Sequence, residues 1–493
     1  MAASQVEEQS KIKLGEKIFV KTDFLSAEIS TVGGDLRQLE LLKHRDAKDK
    51  NKPLVLMQDD RSDTYIAQSG LLGYGLPTHN TLFTSHDGNK FELADGKNEV
   101  QVRLEAVVPP NIKVTKIYTF HRGSYVINIG YEIENNGSAV LSPSAYFQLV
   151  RDSKKAEGDS KFVPTYTGPA VYTNQEKFQK ISFSNIDKNK ADYPKNTDNG
   201  WIAMLEHYFV AAWLPNGNVH REFYTKKLDN NLYSAGVILP VSAIEPGKRG
   251  SVNISLYAGP AVSSLNKIAP GLGLTVDYGW VTIIATPLFG LLTLLHGWVG
   301  NWGVAIIILT FLIKLVFFPL SAASYRSMAK MRIVAPKLEK IKQQYGDDRE
   351  RLHKAMMELY KTEKINPLGG CLPIVIQIPV FISLYWAILS SVELRHAPFF
   401  GWIQDLSAAD PYYILPLIMG ISMFVQTKLN PPPPDPMQAK LMQVMPLIFS
   451  VVFFFFPAGL VLYSVVNNVL SITQQWVITH RMGNAVTGVA KTR

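Results

Sequence analysis

The chain has 493 residues, 47% of them hydrophobic and 18% charged, with a formal net charge of +9; that length exceeds one ordinary domain, and a single cysteine, Cys371, excludes an intrachain disulfide. Residues 271–493 hold 18 Lys and Arg against 11 Asp and Glu, so +7 of the +9 lies in the more apolar half. A basic excess placed there suits loops beside anionic lipid and the cytoplasm, not a surface that reads nucleic-acid sequence.

From the N-terminus, Met1–Ser10 is polar and has no apolar core, so it does not read as a signal peptide. Either the first half stays in the cytoplasm or an export element is missing. Val100, Val102 and Leu104 alternate with Gln101, Arg103 and Glu105, the period of a strand with one buried face. Tyr125, Ile127, Ile129, Tyr131 and Ile133 do the same and end in the Asn135-Asn136-Gly137 turn. Val252, Ile254 and Leu256 repeat the pattern before Gly259-Pro260. Many short strands with polar turns predict an antiparallel β-sandwich over residues 1–276. This half holds no zinc-protease helix motif, phosphate-binding glycine loop or nucleophile elbow. Its six histidines, His44, His79, His86, His121, His207 and His220, are scattered. The reading is a binding or spacing module with no cofactor and no metal.

The stretch 277–300 contains an apolar run long enough to span a bilayer, yet Thr282, Thr286, Thr293 and His296 share one helical face. If this helix lies flat, the first half and the C-terminus fall on opposite sides of the membrane; if it crosses, they share a side. Beyond it, a membrane core over residues 301–480 holds five predicted spans: 302–320, 372–392, 412–427, 441–456 and 459–478. Pro457-Ala458-Gly459 separates the last two. The segment 326–364 carries 11 basic against 6 acidic residues, while Glu393–Asp410 holds one Arg against three acids. The positive-inside rule therefore sends the former, with the basic tail 481–493, to the cytoplasm.

Within 321–366, Met328, Met331, Val334, Leu338, Ile341 and Tyr345 recur at spacings of three and four, as do Leu352, Ala355, Met356 and Leu359. With Gly346-Asp347-Asp348 between them, the two runs predict a helical hairpin with facing apolar seams, bent at Pro336. Its methionines Met328, Met331, Met356 and Met357 read as helix packing, or as an adaptable surface for varied apolar segments.

Lys314 stands inside the apolar run Ile306–Phe318. A charge at that depth usually faces protein or water, although a lysine stem can also reach the headgroups. Thr310 lies one turn earlier, Gln377 sits in the next span, and Ser464, Asn468, Ser471 and Gln475 line one face of the last, widened by Tyr463, Asn467 and Gln474. Such a stripe can glue helices together; beside a cation it reads as a wet groove. No carboxylate falls inside any predicted span, which argues against a proton-driven transporter.

Five motifs resemble the YidC insertase family: Gly300-Asn301-Trp302-Gly303, Ser327-Met328-Ala329-Lys330-Met331, Asn366-Pro367-Leu368-Gly369-Gly370-Cys371-Leu372-Pro373, Asp410-Pro411-Tyr412-Tyr413-Ile414-Leu415-Pro416 and Pro457-Ala458-Gly459-Leu460-Val461-Leu462-Tyr463. The likeness covers essentially the whole chain, including Thr275-Val276-Asp277-Tyr278-Gly279-Trp280. It implies a five-helix membrane bundle with a cytoplasmic hairpin, and a periplasmic β-supersandwich domain similar to sugar mutarotases. It also places 277–300 flat on the periplasmic face.

The function implied is insertion and chaperoning of membrane proteins in the bacterial inner membrane, without chemical catalysis. The implied partners are nascent membrane proteins, ribosomes, the SecYEG translocon with its accessory subunits, and lipids. The residues expected to line the groove are Lys314, Thr310, Gln377, Tyr463, Ser464, Asn468 and Gln475. The family's groove cation is usually arginine where Lys314 stands, and a second tyrosine often stands where this chain has Ser464. Members of this type begin with a spanning helix, which this sequence does not show and which is expected to have been removed. A small-solute transporter or channel is the alternative function, and an enzyme housed in the β-domain the third.

Overall fold

The computed structural model describes residues 15–46, 49–60, 63–154, 165–276, 278–346, 348–363, 372–430 and 436–490. The chain divides into two compact units, Met1–Val276 and Asp277–Arg493.

The first unit is a β-sandwich. Its described residues form one sheet of ten strands and one of nine. The pairings are antiparallel except where Phe19–Lys21 runs parallel to Lys90–Glu92. The alternation in sequence becomes a buried face: Val102, Leu104, Ile127, Ile129, Tyr131, Ile133, Ile254 and Leu256 are all inside, because successive side chains of a strand point to opposite faces. The sheets meet through Phe147 and Trp213, with ring centroids 5.4 Å apart, and through the Ser69 and Tyr131 hydroxyls at 2.9 Å. A helix, α1 (Phe183–Asp187), is capped by Ser182, whose hydroxyl accepts from the Asn185 N–H.

This core also holds charge. Arg37 donates to Asp59 at 2.8 Å and to Asp35 at 3.1 Å, while the Lys116 ammonium donates to the Gly33 carbonyl at 2.9 Å and lies 3.9 Å from Asp35. Burial pushes the Lys116 ammonium down to about 8, against the opposing pull of Asp35.

The second unit is helical: α2 (Thr282–Val299), α3 (Trp302–Val316), α4 (Phe318–Tyr345), α5 (Arg349–Thr362), α6 (Leu372–Ser390), α7 (Ile414–Leu429), α8 (Pro436–Phe453) and α9 (Ala458–Ala490). With its leading turn, α2 covers Gly279–Val299 and is long and apolar enough to cross a membrane. The apolar stretches Val375–Ser390, Ile414–Leu429 and Lys440–Phe453 are shorter. A helix of 16 residues rises about 24 Å, less than the roughly 30 Å of a hydrocarbon core.

Two sequence expectations shift here. The run expected over 302–320 breaks at Phe317, where α3 and α4 meet at 67°. Pro319 stands in the first turn of α4 and offers no N–H to the Leu315 carbonyl, so one helix cannot continue through. Pro336, where a bend is expected, lies within α4. The last helix, expected to end at 478, runs on to Ala490, so most of the segment expected as a tail is helical. Cys371 and most of its motif lie outside the described residues.

The other motifs are joints. Gly300 ends α2 in the left-handed conformation (φ 67°), and the Asn301 side chain caps α3 by accepting from the Val304 N–H at 3.0 Å. A Cβ at Gly303 would lie 2.0 Å from the Phe399 ring, which explains the glycine. Asp410 is buried and accepts from the N–H groups of Tyr412 and Leu415 and from the Trp402 indole, fixing the start of α7. At the α8–α9 turn the Ala458 and Gly459 N–H groups donate to the Ala408 and Leu406 carbonyls.

Within 321–363, where a hairpin is expected, α4 and α5 pack against each other. Val334 and Tyr360 are the buried centre, with Met331, Leu338 and Met356 packed around them. Asp348 caps α5, and Lys337 and Glu363 join the two arms at 2.6 Å. Met331 and Met356 thus pack the seam; Met328 is half-buried and Met357 is exposed.

Candidate functional site

Lys314 lies in the last turn of α3, three residues before the break at Phe317. Its ammonium donates to the Ser471 hydroxyl of α9 at 2.6 Å, and that hydroxyl donates to the Asn467 carbonyl at 2.7 Å. From α6, the Gln377 amide donates to the Asn467 side-chain oxygen at 2.9 Å and to the Tyr463 hydroxyl at 2.6 Å. One polar chain therefore joins three helices. Tyr463, Asn467 and Ser471 are spaced by four along α9, which keeps them on one face. Between α3 and α6, a cavity of about 10 Å³ lined by Lys314, Ser321 and Gln377 has room for a single water.

The stripe expected on the last helix is divided. Asn468 donates to the Ser422 hydroxyl at 3.1 Å and to the Met419 sulfur at 3.3 Å, both on α7. Gln475 donates to the Leu429 carbonyl at 3.1 Å and to the Asn430 side chain at 3.0 Å. These residues lie roughly 80° around α9 from the Tyr463 line, at 3.6 residues per turn. Thr310 and Ser464 are buried and donate to carbonyls of their own helices, Ile306 and Leu460.

Of the seven residues expected to line a groove, Lys314, Gln377 and Tyr463 come together. Thr310, Ser464, Asn468 and Gln475 are enclosed by backbone or by α7. Ser471 belongs to the stripe but not to the expected set, and Asn467 had only widened it. The spacing 463, 467, 471 is the signal that selects them.

That the Lys314 ammonium meets a hydroxyl and not a carboxylate is a matter of sequence: α3, α6, α7, α8 and α9 contain no Asp or Glu. Among the described residues no group of His, Cys, Asp and Glu is placed to hold a metal.

Comparison with known proteins gives the family of the chain. The YidC periplasmic domain family matches residues 17–291, and the 60Kd inner membrane protein family matches residues 294–485. The membrane protein insertase YidC of Nitrosospira multiformis is 60% identical over 99% of this chain and 85% of its own length. That of Nitrosomonas europaea is 59% identical over 96% of this chain and 77% of its own. A crystal structure of an active YidC insertase with its first transmembrane domain resolved is 19% identical, with a TM-score of 0.42 over 95% of this chain and 94% of that one. Two family matches that together span nearly all of the chain, and relatives this similar across it, show that the chain belongs to the YidC family of membrane protein insertases.

Proposed function

We propose that this chain inserts newly made proteins into the bacterial inner membrane by lending them polar partners inside the bilayer, centred on Lys314. The observation that carries the reading is the chain from Lys314 through Ser471 and Asn467 to Gln377 and Tyr463. A cation held only by a hydroxyl keeps its attraction for a carboxylate, since a hydrogen bond to an ionised acceptor is roughly twice as strong as one to a neutral group. An acidic or polar stretch of a client exchanges with Ser471 and Gln377, while its apolar segments pass into lipid. No bond is made or broken.

In this reading α3, α6, α7, α8 and α9 span the membrane. Support comes from the apolar side chains α7 and α8 leave exposed, among them Leu417, Ile421, Phe424, Leu441, Leu447 and Val451, as expected of surface facing acyl chains. Their short lengths favour a locally thinned bilayer, which lowers the barrier to insertion. The helix α2 lies along the outer face, supported by the exposure of Thr282, Thr286 and Thr293. The basic hairpin of α4 and α5 and the basic C-terminal end face the cytoplasm and meet ribosomes and nascent chains. The β-sandwich is periplasmic, and the molecule works alone or beside SecYEG.

Photocrosslinking during translation of a small membrane protein tests this. Probes replacing Gln377 and Ser471 should capture the client, and probes replacing Asn468 and Gln475 should not. Equal capture from both sets, or none from Gln377, would reject the site.

A further inference from the structure

Lys314 has a second side. Between α3, the start of α4 and α9 lies an open cleft of about 610 Å³. Its walls are apolar, with Phe311 and Leu315 half-exposed on one side and Leu470 and Val477 on the other. Four donor side chains line it, Lys314, Arg326, Thr473 and Gln474, of which the Thr473 hydroxyl already donates to the Val469 carbonyl. Among the described residues neither cation has a carboxylate partner, and the Gln474 amide nitrogen is buried without an acceptor. An unsatisfied buried donor beside two cations calls for a ligand with several anionic oxygens, and the walls call for an apolar chain attached to it.

The lining separates the possible occupants. Two cations and a buried amide donor fit an anionic head, and the apolar walls at Phe311, Leu315, Leu470 and Val477 fit an acyl chain attached to it. Depth agrees, because Lys314 stands three residues before the 67° break that ends the apolar run of α3, where headgroups begin.

We propose that this cleft binds an anionic phospholipid, with its phosphate among Arg326, Gln474 and the ammonium hydrogens that Lys314 does not give to Ser471, and one acyl chain along Phe311 and Leu315. The proposal rests on the reading of α3 and α9 as spans. The lipid is then the resting counter-ion of Lys314, and an acidic client must displace its phosphate to engage the ammonium.

The test uses the full chain in an uncharged detergent, with phosphatidylglycerol or phosphatidylcholine of identical acyl chains, read by native mass spectrometry. Phosphatidylglycerol should be retained roughly tenfold more tightly, as two nearby cations imply. Arg326→Gln combined with Gln474→Leu should weaken phosphatidylglycerol most and bring the two lipids to equal retention. Leu315→Trp, which keeps every charge on an exposed wall, should weaken phosphatidylglycerol several-fold. Equal retention of the two lipids by the unaltered chain, a preference that survives the double variant, or displacement of phosphatidylglycerol by equimolar inorganic phosphate would each overturn the proposal. So would an apolar helical peptide with one Asp that crosslinks to Phe311 and Val477 despite saturating phosphatidylglycerol. Crosslinking of clients from Gln377 in pure phosphatidylcholine bilayers reads the insertion site separately, so failure of one idea is not failure of the other.

Discussion

The Lys314 ammonium lies 2.6 Å from the Ser471 hydroxyl oxygen, and that bond ties the C-terminal end of α3 to the middle of α9. A neutral acceptor compensates a buried charge only in part, so the ammonium remains an attractor for carboxylates. Lys314→Ala should therefore slow insertion of clients with acidic translocated tails about tenfold, and of uncharged clients less than twofold. Lys314→Arg should retain most of the rate. Because the alanine also relieves the cost of burying a charge, the thermal transition should not fall. Protease protection of a client added to proteoliposomes reads the rate; equal slowing of acidic and uncharged clients would remove the electrostatic argument.

Asn468 and Gln475 hold α9 to α7 through Ser422, Leu429 and Asn430. Asn468→Leu and Gln475→Leu should each cost about 0.5–1.5 kcal/mol of bundle stability, the range for hydrogen bonds between membrane helices. Client crosslinking from Gln377 should stay at its original level. Loss of crosslinking at unchanged stability would put these amides back among the groups that meet clients.

The strands were legible because one buried face imposes a period of two: Val102 and Leu104, or Ile127 and Ile129, announce themselves. The charge inside that sandwich was not, since Asp35 and Arg37 meet Asp59 and Lys116 from strands distant in sequence and nothing local marks them as partners. The polar stripe of α9 was visible as composition, but its division into a site and a seam depends on where α6 and α7 pack, which periodicity does not encode. Helix ends were legible where a residue has a local duty, as at Gly300 and Asn301. The break at Phe317 was missed because Pro319 lies within an unbroken apolar run, and hydropathy does not register a missing N–H.

Lys116 gives the β-sandwich a pH dependence. Burial holds its folded pKa at about 8, below the ordinary 10.5. Between those values the unfolded chain binds the proton that the folded one has released, so stability rises with pH, by about 2 kcal/mol from pH 8 to pH 10. Toward and above pH 10 the buried Tyr118 and Tyr131, whose pKa values are raised by burial, oppose this, because the unfolded tyrosines ionise first. Calorimetry of the full chain should show the sandwich transition moving upward over that window, and Lys116→Met should flatten it. A wild-type transition that falls steadily from pH 8 would show that Asp35 keeps the ammonium charged.

The helix α2 can be placed by labelling. Its inward face is Ala285, Phe289, Leu292 and Leu295, and His296 turns in to stack on Trp302 with ring centroids 4.0 Å apart. The Thr282, Thr286 and Thr293 side chains are left outside. A helix lying along the interface keeps that line of threonines in contact with water over its whole length, whereas a crossing helix carries its middle into hydrocarbon, where a thiol does not ionise. With Cys371 replaced by Ser, single cysteines at 282, 286 and 293 should react with a membrane-impermeant maleimide at rates within about threefold of one another, because thiolate fraction and access set the rate. A cysteine replacing Leu292, packed inward, should be protected. If position 286 reacts far more slowly than 282, α2 crosses the bilayer, and the two ends of the chain lie on the same side of it.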